Sequence, residues 1–122
     1  HCLRGIEPAQ RTALNLARWN VASCGAEPIR EATMAGFIDA YRPYGFRPEA
    51  FSPAYGMAEC TLVVSLKAYG VPPTVSRLDT ECLQQGRIAK AEGAGSLRAV
   101  VGCGMPIGDM QVVIVNPDTR ER

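Results

Sequence analysis

Hydrophobic and polar positions in the first half of the chain alternate between two patterns, and each predicts a different element. From Ile29 onward, Met34, Phe37, Ile38 and Tyr41 keep the spacing that lays one apolar stripe along a helix, and Pro43 and Gly45 end the run. Just upstream, Trp19–Cys24 is a short, mostly small and apolar stretch that stops at Gly25-Ala26-Glu27-Pro28, which predicts a buried strand. Before it, Pro8 occupies a first-turn position and starts a helix predicted to reach about Ala17. Phe46–Gly56 surrounds one short extended piece with loop residues, as expected for the return to a second parallel strand. Strand, turn, helix and strand together predict one right-handed crossover unit and an α/β fold.

The second half is less regular. Thr61–Ser65 is β-branched enough for a strand, Pro72-Pro73 breaks it, and Leu78–Gln85 predicts a helical turn capped by Asp79 or Thr80. Lys90–Ser96 reads as a surface loop joining Arg87-Ile88-Ala89 to a strand over Ala99–Cys103. A turn over Gly104–Gly108 then leads to Gln111–Val115, the cleanest strand pattern in the chain, ended by Asn116-Pro117-Asp118. No internal repeat is present, which excludes solenoids.

Composition narrows the function classes. At 122 residues, 47% hydrophobic and 20% charged, the chain has the make-up of one globular domain. Thirteen basic and twelve acidic residues give a net charge of +1 without a Lys/Arg run, so no nucleic-acid partner is expected. No window reaches the roughly 18 apolar residues of a membrane span, and the start lacks a signal-peptide core, so a cytoplasmic location is expected. A first residue other than Met and a final turn that calls for another strand predict a piece of something larger. Five cysteines, at 2, 24, 60, 82 and 103, form no C-x-x-C pair and predict reduced, mostly buried thiols. A single His leaves no ligand set for zinc and no Cys/His catalytic pair.

Two constellations remain as candidate chemistry, both predicted where parallel strands end. Gly25-Ala26-Glu27-Pro28 joins strand to helix, where bare N–H groups and the helix dipole favour an anionic or polar ligand. The same residues also suit a simple tight turn in which Gly25 takes an unusual backbone conformation. In Tyr55-Gly56-Met57-Ala58-Glu59, a phenol can stack on a purine, Gly56 permits close backbone approach, and Glu59 can hold a divalent cation that bridges phosphates. The alternative is a core Tyr55 and a solvated Glu59. In open α/β sheets ligands collect beyond the carboxyl ends of the strands, where both turns are predicted to fall.

Tyr55-Gly56-Met57-Ala58-Glu59 resembles the Tyr-Gly-x-Thr/Ala-Glu motif of the adenylate-forming enzymes, and Gly25-Ala26-Glu27-Pro28 resembles their upstream adenine-lining turn. Within that superfamily, Trp19–Arg30, Tyr44–Phe51 and Tyr55–Ser65 resemble the fatty acyl-AMP ligases, and the resemblance covers essentially the whole chain. Leu66 to Val101 resembles the insertion thought to disfavour acyl transfer to CoA in those enzymes, and Gly102–Val115 resembles the entry to their β-barrel subdomain. The implied division is residues 1–65 as an αβ piece carrying the adenine turns, 66–101 as insertion, and 102–122 as the start of the barrel. All belong to one incomplete N-terminal domain.

The resemblance implies that Gly25, Ala26, Glu27 and Pro28 wall the adenine and that Tyr55 stacks on it. Gly56, Met57 and Ala58 would line the nucleotide and acyl pocket, with Met57, Cys60 and Leu62 candidates for the acyl side. Glu59 would be the catalytic carboxylate and the Mg²⁺ ligand. The implied reaction joins a fatty acid to ATP, giving acyl-adenylate and pyrophosphate, with an acyl carrier protein as the expected acceptor. Pro53 stands where many relatives carry an Asn, which removes a side-chain amide from adenine recognition and leaves a backbone carbonyl to replace it. The alternatives are a fatty acyl-CoA ligase, an amino-acid adenylation domain or a noncatalytic nucleotide-binding module. The chain holds no Gly-rich phosphate loop, ribose-binding Asp or C-terminal Lys, so the isolated piece is expected to be inactive.

Overall fold

The computed structural model describes residues 2–90 and 96–122. Helices α1 (Cys2–Gly5) and α2 (Pro8–Arg11) lead to strand β1 (Ala22–Cys24), helix α3 (Glu31–Tyr41) and strand β2 (Phe51–Tyr55). After these come β3 (Ser65–Leu66), β4 (Val75–Asp79), α4 (Thr80–Gln84), β5 (Leu97–Val101) and β6 (Met105–Pro106). One sheet has the order β1-β2-β3-β6, and β4 pairs with β5 in a second. The α/β fold class and the parallel return are both present: β1 and β2 run parallel with Cys24 opposite Pro53, and α3 makes the crossover.

The predicted apolar stripe packs this unit. Met34, Ile38 and Tyr41 of α3 are buried with Ala22, Phe46, Ala50 and Phe51, and Phe37 is the hub of an aromatic cluster. Its ring centroid lies 5.2 Å from Phe46, 5.9 Å from Phe51 and 4.7 Å from Tyr41. Trp19 covers the cluster from outside, edge-on to Phe46 at 5.4 Å. Each fully buried ring contributes roughly 1.5–3 kcal/mol by removal from water alone.

Several predicted elements are shorter than expected, for identifiable reasons. The first helix stops at Arg11, whose buried guanidinium turns back to the carbonyls of Leu3 (3.2 Å) and Ile6 (2.6 Å) and lies over the Tyr41 ring. Beyond it Leu16 leaves any helical path, its N–H donating to the carbonyl of Tyr44 at 2.8 Å. Only Ala22–Cys24 of the predicted Trp19–Cys24 strand pairs with a neighbour. Of the predicted Thr61–Ser65 strand only Ser65 is strand, because Thr61 (φ 53°) and Leu62 (φ 84°) are left-handed and turn the chain back on the carbonyls of Ala58 and Met57.

The cleanest predicted strand, Gln111–Val115, is not a strand, and its valines and Ile114 are exposed. β propensity records how a side chain suits a half-buried pleated surface, and among the described residues nothing pairs with this segment. The turn after it does form, with Asn116 Oδ1 accepting from the N–H groups of Asp118 and Thr119. The cysteines are free as expected but not mostly buried: Cys2 is exposed and the other four are half-buried. The core of the predicted Lys90–Ser96 loop, residues 91–95, lies outside the described residues.

The span between β3 and β6 leaves the first sheet and returns to it. Leu66 and Met105 are register partners, so the ends of the excursion meet. Within it, Asp79 caps α4 as predicted, its carboxylate accepting from the Cys82 N–H at 2.8 Å, a bond that holds its pKa below the usual carboxylate value. Val75 and buried Val101 reach the main core, and Arg77 donates to Glu31 of α3 at 3.0 Å. Contacts therefore cross both predicted boundaries, at 65/66 and 101/102.

Lys67 fastens the start of the excursion. Its side chain is buried, and Nζ donates to the carbonyls of Glu49 (2.9 Å), Ala68 (3.0 Å) and Val71. Burial lowers its pKa, with Glu49 opposing the shift. Three acceptors offset the cost of desolvating one ammonium.

Candidate functional site

Both predicted constellations sit at the carboxyl ends of the parallel strands. Gly25 directly follows β1 and Tyr55 ends β2, so the register that pairs Cys24 with Pro53 sets the two turns side by side. Gly25 is required for this approach: a Cβ there would lie 2.9 Å from the Ala54 carbonyl oxygen. The unusual backbone conformation belongs instead to Ala26, at φ 68°. One predicted role for Gly25 thus passes to its neighbour.

Ala26, Glu27 and Pro28 line a cavity of about 310 Å³ together with Ala54, Tyr55, Gly56 and Cys103. Tyr55 is 48% exposed, so its ring is available to a ligand and is not a core aromatic. A second cavity of about 460 Å³ shares Ala26, Ala54, Tyr55 and Gly56 and adds Gly25, Leu62, Val63 and Leu66. Leu62, expected on the acyl side, is therefore a wall residue here. Beyond Cys103 lies a larger, mostly apolar cavity of about 590 Å³, bounded by residues including Leu66, Val71, Met105 and Ile107.

The rest of the second motif is placed differently. Met57, Ala58 and Glu59 are exposed on a turn that includes the 3-10 helix Ala58–Cys60, and none lines these cavities. Gly56 meets the chain's own backbone: a Cβ would collide with the Leu62 carbonyl, so this glycine lets the 57–62 turn fold over the end of β2. Pro53 is fully buried and its carbonyl accepts from the Lys67 N–H at 3.3 Å, so that carbonyl is already engaged within the fold.

Sequence reading missed Cys103 and Ala54. Cys103 reaches the site because β6 returns to β3, and its only local signal is the flanking pair Gly102 and Gly104. Cys24, beside the turn, has its thiol pKa pushed up by burial, then by the Glu27 carboxylate, then by Cys103, while Cys103 is raised by burial. Both remain thiols at neutral pH, which suits a wall and not a nucleophile.

No protein-family model matches the chain. Among curated proteins it is 48% identical over its whole length to the medium-chain fatty-acid acyl-carrier-protein ligase JamA of Moorena producens. It is 36% identical over 98% of its length to the corresponding ligase TtuA of Teredinibacter turnerae. A crystal structure of the Legionella pneumophila fatty acyl-adenylate ligase, in complex with acyl adenylate and pyrophosphate, superposes over 97% of the chain with a TM-score of 0.88 at 38% identity. The chain matches one segment of the fatty acyl-AMP ligases. It covers 21% of JamA, 18% of TtuA and 20% of the Legionella chain, so it corresponds to about one fifth of these ligases. Adenylation domains of a keto acid-selecting peptide-synthetase module share the fold at 24% identity, with a TM-score of 0.74. Within the fatty acyl-AMP ligase segment, the two turns that carried the resemblance are the ones that share a cavity.

Proposed function

We propose that the full-length protein bearing this segment activates a fatty acid with ATP and passes the acyl group to an acyl carrier protein. The observation that carries this reading is the single cavity formed by Ala26, Glu27 and Pro28 of one motif and Tyr55 and Gly56 of the other. Attack of the fatty carboxylate on the α-phosphate gives acyl-adenylate and releases pyrophosphate. Tyr55 offers a half-exposed ring for the purine, and the Gly25–Ala54 approach sets the Ala26 turn beside it. The larger apolar cavity beyond Cys103 has the lining an alkyl chain requires.

Mg²⁺ is usually bound through one or two carboxylates together with substrate phosphates, and exposed Glu59 fits that limited role. When bound, the ion would offset the repulsion between carboxylate and triphosphate. Met57 and Ala58 belong to the same proposal as neighbours of the nucleotide and acyl group. Residues 66–101 are read as the family's insertion, supported by the pairing of Leu66 with Met105 at its base. A cytoplasmic location goes with ATP-dependent chemistry and unpaired cysteines.

The test is product identification with the full-length protein, Mg-ATP and a medium-chain fatty acid, with and without CoA. Acyl-adenylate in both reactions is expected, with onward transfer when a carrier protein is added. Efficient acyl-CoA formation would replace the reading with that of a CoA ligase.

A further inference from the structure

Lys67 is a buried cation that the proposed reaction does not use. It is 8% exposed, and its ammonium donates to the carbonyls of Glu49 (2.9 Å), Ala68 (3.0 Å) and Val71. An ammonium has three donors and no acceptor, so these carbonyls match it one for one. All three lie between residues 49 and 71, so the charge is satisfied within the segment itself.

Burying an ammonium is costly, and the placement of this one shows what it holds. β3 consists of Ser65 and Leu66 alone, paired antiparallel with Tyr55 and Ala54 of β2. So short a ladder has few pairs with which to fix its own register, and a slip of one residue would exchange the two faces of the strand. Lys67 grips the β2 region at two separate points. Its backbone N–H donates to the Pro53 carbonyl at 3.3 Å, and its side chain reaches back to Glu49, before the strand begins. Two attachments along one stretch of chain oppose sliding. At the other end of β3, the Val64 N–H donates to the Tyr55 carbonyl at 2.9 Å. The register bears directly on the site: the partners Ala54 and Leu66 share a face and line the 460 Å³ cavity with Tyr55, whose own partner is Ser65.

We propose that Lys67 is a positioning residue for nucleotide binding: it pins β3 in register with β2 and so sets Ala54, Tyr55 and Leu66 around the purine. The proposal rests on the reading of this cavity given above. Lys67 acts through the ladder and not by touching the nucleotide.

The experiment uses the full-length protein as wild type, Lys67→Met, Lys67→Gln, Tyr55→Ala and the double variant Lys67→Met/Tyr55→Ala. It measures KM for ATP and kcat by pyrophosphate release, and amide hydrogen exchange over β2–β3 and over α3. Lys67→Met removes the charge and all three donors, and Lys67→Gln keeps two. Three buried carbonyls left without a partner should loosen the ladder and raise the KM for ATP in Lys67→Met about 5-fold or more, with kcat close to wild type. Exchange over β2–β3 should accelerate while α3 stays protected, and Lys67→Gln should lie between. In the Tyr55→Ala background Lys67→Met should add little, because the ring it positions is gone. A normal KM in Lys67→Met beside a raised one in Tyr55→Ala would overturn the proposal, as would equal rises in both backgrounds. So would unchanged exchange over β2–β3, or equal acceleration in α3. If Tyr55→Ala keeps a normal KM while Lys67→Met still loosens the β2–β3 ladder alone, the nucleotide reading fails and the pin stands.

Discussion

The β1–α3–β2 unit and the segment after β6 are similarly rich in apolar residues, yet only the first is ordered by them. In the first, Phe37, Phe46 and Phe51 find one another across a helix and a parallel strand pair. In the second, Val112, Val113, Ile114 and Val115 meet no strand among the described residues, and Ile114 is 84% exposed. Apolar content alone does not make an element; a partner at the right distance in space does.

The largest effect that sharpens this contrast is Phe46→Ala, which should cost about 3–5 kcal/mol of stability in chemical denaturation, while Ile114→Ala stays within about 0.5 kcal/mol. A comparable loss at both positions would show that the tail is as tightly packed as the core. Next is Gly56→Ala, whose new methyl meets the Leu62 carbonyl head-on. It should destabilise by about 1–3 kcal/mol or more and abolish adenylation, whereas Gly25→Ala, at 2.9 Å from the Ala54 oxygen, should be milder. Equal tolerance of both would mean that the 57–62 turn yields easily.

A smaller effect lies in alkaline solution. Cys24 and Cys103 have folded pKa values raised above the unfolded value of 9.0, so folding favours their neutral form. Their stabilising contribution is whole below pH 9.0 and is lost as pH rises through the folded values. Cys24→Ala/Cys103→Ala should reduce the fall in the melting midpoint above that pH, and an unchanged alkaline slope would assign it to other groups.

Legibility in the sequence followed the range of the interactions. The helix over Glu31–Tyr41 was readable because Met34, Phe37, Ile38 and Tyr41 are close in sequence and on one face. The crossover, and with it the meeting of the two turns at the strand ends, followed from element order. β4 was hidden because its partner Leu97–Val101 lies beyond α4 and because a mixed, half-buried ladder shows no clean alternation. The false strands at 61–64 and 111–115 show the converse limit: branched residues announce β propensity but not left-handed turns at Thr61 and Leu62 or the lack of a neighbour among the described residues. Cys103 joined the site only through the return of β6 to β3, which no local spacing reveals.

The decisive measurement is the KM for ATP of full-length Tyr55→Ala against Tyr55→Phe, with unfolding midpoints recorded for both. A purine stacked on this half-exposed ring predicts a rise of about 5- to 150-fold in the alanine variant, equivalent to about 1–3 kcal/mol, with near-normal values for phenylalanine and midpoints close to wild type. An unchanged KM in Tyr55→Ala would contradict the assignment of the cavity between the two turns to the nucleotide.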